Sequence, residues 1–158
     1  MTNPEGNLNV SLTPKDKLDY EVQAWKLAIE VQEHFNTLEM QIRNFAITVL
    51  GGVIGAAALV HKDSPLSSKM ILIAGLVIWL AFFTMDRLWY HQLLTGSVKH
   101  AQRIEDRLKG TIPGISLSQA IGDASPFIIG KMEIHTNGKM LIFYGLVALV
   151  LVVLILVF

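Results

Sequence analysis

The sequence predicts an all-α membrane protein with three transmembrane helices, two of them extended into a cytoplasmic antiparallel helical pair. Three observations carry this. The chain of 158 residues is 52% hydrophobic and only 16% charged, whereas soluble domains carry about 25% charged residues. Its apolar residues gather in three blocks, Ile42 to Val60, Met70 to Met85 and Met140 to Phe158, each near the ~20 residues that a bilayer core requires. Finally, the polar segments flanking the first two blocks keep a helical period and have almost no breakers.

Residues 1–13 read as a flexible N-terminal arm, polar and broken by a proline and a glycine. Thr13, Pro14 and Asp16 then supply a cap, a favoured first helical residue and a first-turn acid. With no breaker before Gly51, one helix should run from 14 to 60, a cytoplasmic part over 14–41 followed by a first span over 42–60. An external loop (61–69) leads to the second span (70–86). This too should continue past the membrane until Gly110 and Pro113 end it. The cytoplasmic region 87–138 holds that helix and a punctuated stretch in which "SLSQAI" suits a short capped helix. "FIIGKMEI" reads equally as strand, interfacial segment or loop. The third span (139–158) is almost pure Leu, Val and Ile.

Leu18, Val22, Trp25 and Ile29 are spaced like a coiled-coil seam, as are Tyr90, Leu94, Ser97, Ala101, Ile104 and Leu108. These seams predict the antiparallel pair. Lysine and arginine concentrate before Arg43 and between Arg87 and Lys139. By the positive-inside rule the N-terminus is cytoplasmic and the C-terminus external.

Catalytic patterns are missing: there is no G-x-S-x-G, Walker loop or H-E-x-x-H. With no cysteine, disulfides and thiolate metal sites are excluded. The expectation is a non-enzyme with no metal and no cofactor. No acid, base or histidine sits centrally in a span, which argues against an ion-coupled transporter.

The candidate functional residues lie on stripes. Gln32, Asn36, Glu39 and Arg43 continue the first seam, turning it polar as it reaches the membrane, and Thr48 follows. They suit the lining of a water-filled path. The same pattern also suits a solvated face, with Arg43 as an interfacial anchor, or a partner-binding surface. Gly51, Gly52, Gly55 and Ala56 form overlapping small-x-x-x-small pairs for helix packing, within one subunit or between subunits. Lys99, His100, Arg103, Arg107 and Lys109 form a basic stripe. It is either the positive-inside charge itself or a site for phosphate-bearing ligands.

"HFNTLEMQIRNFAITVLGGVIGAAAL" followed by "DRLWYHQLLTGSVKHAQRIE" resembles small bacterial multi-span effectors encoded beside nucleotidyltransferases in antiphage systems. The SLATT-type proteins and the membrane subunit of the Hailong system are of this kind. The resemblance spans residues 18–108, through helix layout and these two stretches. It implies an inner-membrane homo-oligomeric pore, tetrameric or larger, that opens during infection and arrests growth. It also implies a cytoplasmic site for an oligonucleotide or nucleotide second messenger made by a partner nucleotidyltransferase. The competing expectation is a non-conducting scaffold that recruits a cytosolic partner through its coiled helices.

Overall fold

The computed structural model describes residues 12–129, 132–134 and 136–158. Most of the predicted N-terminal arm, residues 1–11, lies outside them. Helix α1 runs unbroken over Pro14–Val60, 47 residues, or about 70 Å. Its start is a capping box. The Thr13 hydroxyl and backbone N–H both donate to Asp16 Oδ2 (2.7 and 3.0 Å), and the Asp16 N–H donates back to Thr13 Oγ1 at 3.2 Å. These bonds, the hydroxyl's first, hold the Asp16 carboxyl below its ordinary range. A depressed folded value stabilises above the unfolded carboxylate pKa and is lost as pH falls through the folded one. The first turn of α1 should therefore fray in acid, read as faster amide exchange there than in the rest of the helix.

At the other end Ser64 caps α2 (Pro65–Met85). A π-helical turn, Asp86–Tyr90, joins α2 to α3 (His91–Leu108), so that helix persists over 44 residues from Pro65 to Leu108. Beyond a turn in which Gly114 takes a positive φ of 84°, α4 (Leu117–Ala124) is followed by two short antiparallel strands. These are β1 (Phe127–Ile129) and β2 (Met132–Ile134), paired Phe127 with Ile134 and Ile129 with Met132. "SLSQAI" is thus mostly helix, and "FIIGKMEI" contributes a hairpin. Helix α5 covers Thr136–Val157. The fold is all-helical apart from this hairpin. Three helices are long and apolar enough to cross a membrane by length and composition.

Two cores hold the helices together. The first half of α1 packs antiparallel on α3 through Leu18, Trp25, Ala28, Ala101, Ile104 and Leu108. The second half packs among α2 and α5 through Ala46, Ala57, Leu72, Trp79, Tyr144 and Leu151. Polar groups inside this apolar core are satisfied within it. The Trp79 indole donates to the Tyr144 carbonyl (3.0 Å), and the Ser68 hydroxyl donates to the Ala57 carbonyl (2.8 Å).

Gly75 of α2 lies tight against α1, where an added Cβ would lie 3.3 Å from Val53 Cβ and closer still to its Cγ1. Val53 is β-branched and stiff. Gly75→Ala should therefore destabilise by about 1–3 kcal/mol through overpacking, measured by detergent-induced unfolding.

Candidate functional site

Where α1 enters the bundle, a group of polar side chains from every long helix closes on itself. Arg43 Nε donates to Asp86 Oδ2 at 2.8 Å, and Arg43 Nη2 bonds Glu39 Oε1 one turn back. The Tyr144 hydroxyl of α5 donates to the same Asp86 oxygen at 3.0 Å. His91 Nδ1 stands 3.5 Å from Glu39 Oε1. Glu39 is 3% exposed and Asp86 fully buried.

Ionisable groups at membrane depth persist where they face the bundle interior and pair. Here one guanidinium serves two carboxylates and ties α1, α2 and α5 together. Asp86 opens the π-helical turn, an insertion that rotates a helix locally and often marks a functional position. Neither Asp86 nor Tyr144 was among the residues nominated from sequence. The available signal was a lone acid at the end of one apolar block and a lone tyrosine in another.

A second polar node lies farther along the α1–α3 pair. Glu105, 1% exposed, accepts from the Trp25 indole (3.1 Å) and from the Ser118 N–H (2.9 Å) at the start of α4. The carboxylate replaces the side-chain cap that Ser116 does not supply, and its charge suits a helix N-terminus. Glu105→Ala leaves two donors unsatisfied, each worth about 1–3 kcal/mol if it stays buried. We expect α4 to lose amide protection before the rest of the molecule.

The nominated residues separate by direction. Glu39 and Arg43 turn into the chain's own bundle. Gln32 is half-buried, 3.5 Å from the Ser118 hydroxyl, while Asn36 and Thr48 are exposed. Gly51, Gly52, Gly55 and Ala56 are exposed too, and a Cβ added at any of the three glycines meets nothing within 4 Å. They take no part in packing within the chain. On the basic stripe, Arg107 pairs with Glu21 at 3.2 Å, and Lys109 pairs with Asp106 at 2.8 Å. Lys99, His100 and Arg103 are exposed, with no ion pair among the described residues.

The outward side of α1 holds a stripe that joins the nominated Thr48, Gly51 and Gly55 to Thr37, Gln41 and Asn44, which were not nominated from sequence. Thr37, Gln41, Asn44, Thr48, Gly51 and Gly55 recur at intervals of 4, 3, 4, 3 and 4 residues, and all are exposed. At 3.6 residues per turn they share one face, on the far side of the helix from Glu39 and Arg43. Small and polar residues thus run along the exposed flank from the polar half of α1 well into its apolar half. The outward faces of α2 and α5 differ, showing Ile73, Val77, Leu80, Leu146, Leu149 and Val153.

The arrangement defines a class, namely a three-helix bundle of candidate membrane spans, with one long helix whose open flank carries a stripe of polar and small residues beside exposed apolar ones such as Phe45 and Leu59. Comparison with protein families, with curated proteins and with solved structures returns no match for this chain.

Proposed function

We propose that the chain is the subunit of a homo-oligomeric ion channel in the bacterial inner membrane, with α1 facing the central axis. The observation that carries this is the outward stripe Thr37–Gln41–Asn44–Thr48–Gly51–Gly55. The Asn44 amide facing hydrocarbon would be costly, whereas the Thr48 hydroxyl is satisfied by the Asn44 carbonyl at 2.9 Å; small residues on a lipid-exposed face forgo packing that neighbouring helices provide. Facing copies of itself, the same stripe forms a narrow polar lining between closely packed backbones. The aliphatic faces of α2 and α5 then make the lipid-facing wall.

Lysine and arginine distribution supports a cytoplasmic α1–α3 pair and an external C-terminus. The resemblance to effectors of nucleotidyltransferase-linked antiphage systems supports a channel that depolarises the cell and arrests growth during infection. A nucleotide-type messenger would meet Lys99, His100 and Arg103 on α3.

The test is conductance of the purified full-length protein in planar bilayers. Discrete currents are expected, and protein that never passes ions, with or without nucleotide, refutes the reading.

A scaffold reading draws support from a different surface. Leu27 and Val31 are exposed beside a 280 Å³ groove shared with Ser97 and His100, where a cytosolic helix could dock. Overexpression separates the two, since a channel depolarises cells and a scaffold does not.

A further inference from the structure

A basic concavity borders the charge cluster and shares no residue with the outward stripe. It is a 460 Å³ cavity lined by Arg87, His91, Gln92, Thr95 and Lys99 on one side and Asn137 on the other. Among the described residues no acidic side chain lines it. The two carboxylates of the adjoining cluster are already engaged: Asp86 is held by Arg43 and Tyr144, and Glu39 by Arg43. Arg87 Nη1 is buried and has no hydrogen-bond partner among the described residues. A guanidinium nitrogen in that condition is a donor waiting for an acceptor. Asn137 stands in the first turn of α5, where free backbone N–H groups favour an anion. Two cations, two amides, an imidazole and a helix start therefore surround one space, with the Thr95 hydroxyl already bonded to the His91 carbonyl at 2.8 Å.

Its position narrows the anion. Arg87 follows the apolar block of α2 by two residues, and its neighbours Leu88 and Trp89 are exposed, Trp89 by 68%. An exposed tryptophan beside basic residues at the end of a span is an interfacial signature. Arg87 and Lys99, twelve residues apart on nearly continuous helix, are separated by about 18 Å along the axis. We infer that this cavity binds the phosphate headgroup of an anionic membrane lipid, with Arg87 and Lys99 as its charge partners and Gln92 as a neutral donor.

The site touches the charge cluster through one residue. His91 lines the cavity and also faces Glu39 at 3.5 Å. A bound headgroup therefore acts on the side chain that abuts the cluster fixing the rotation of α1. In the channel reading, that rotation determines what faces the axis. Binding itself does not depend on the channel reading.

The test uses the full chain reconstituted in nanodiscs of phosphatidylcholine with phosphatidylglycerol, then released into detergent and weighed intact by native mass spectrometry. Wild type should retain phosphatidylglycerol over phosphatidylcholine. Arg87→Gln and Lys99→Gln should each lower retention about fivefold, and the double variant more than tenfold. Arg103→Gln, outside the cavity, should retain lipid like wild type, and circular dichroism checks that each variant is folded. Undiminished retention in the folded double variant overturns the proposal. A parallel titration with inorganic tripolyphosphate separates the sources: binding that needs Arg87 and Lys99 while lipid retention does not assigns the cavity to a soluble phosphate and also overturns it. Neither arm reads a current, so failure of the channel reading leaves this result interpretable.

Discussion

Arg43→Leu is expected to cost the folded protein about 3–5 kcal/mol, the loss typical of breaking a buried ion pair from one side. The guanidinium stands between Glu39 and Asp86, both buried. Without it, two carboxylates remain in an apolar setting, and the Asp86 anchor for the Tyr144 hydroxyl carries an uncompensated charge. Asp86→Asn should be milder, within about 1–3 kcal/mol, since Arg43 keeps Glu39 and the amide oxygen still accepts from Tyr144. Replacing Glu39, Arg43 and Asp86 together by apolar residues of similar volume should recover most of the stability, because desolvation offsets much of what a buried pair contributes. Detergent titration followed by tryptophan fluorescence gives the ranking, with Trp79 packed on Tyr144 as reporter. An Arg43→Leu variant as stable as wild type would mean that the cluster does not hold the bundle.

Gly55→Leu is expected to abolish conductance while leaving the subunit's fold intact. A Cβ added at this exposed glycine meets nothing within 4 Å, and leucine is a better helix former than glycine by about 1 kcal/mol. In the assembled channel the same leucine recurs in every subunit, and a ring of apolar side chains in a narrow pore empties it of water. Asn44→Asp on the same stripe should act differently, keeping the pore open and shifting the reversal potential towards cation preference through a ring of carboxylates. Full currents from Gly55→Leu would remove this face of α1 from the conduction path. Unchanged helicity by circular dichroism is required for either result to count.

Much of the backbone was legible in the sequence. Thr13, Pro14 and Asp16 mark where α1 begins, because caps are local interactions between neighbours in the chain. The absence of breakers from Pro14 to Gly51 implies one continuous helix, and the Leu18–Ile29 and Tyr90–Leu108 seams meet as partners because both carry the same period. Rotation was not legible. The Gln32–Asn36–Glu39–Arg43 stripe and the Thr37–Gln41–Asn44–Thr48 stripe run along opposite sides of the helix with similar chemistry. Which of them turns inward depends on Asp86, Tyr144 and His91, three residues distant in sequence. A strict 4, 3 alternation also drifts about 20° per heptad on a straight helix, so Asn36 leaves the seam while Arg43 stays inside. The π-helical turn at Asp86 has no compositional mark, and Gly75 looked like any glycine in an apolar run until Val53 was found against it.

The central claim is that α1 presents its outward stripe to a shared aqueous axis, and the absence of cysteine from the sequence makes it directly measurable. Single cysteines at Thr48 and at Leu149, the latter on the outward face of α5, are compared in planar bilayers under a charged thiol reagent. Block of the current at Thr48→Cys with no effect at Leu149→Cys is the predicted result. Currents insensitive to the reagent at Thr48→Cys but blocked at Leu149→Cys would contradict the account.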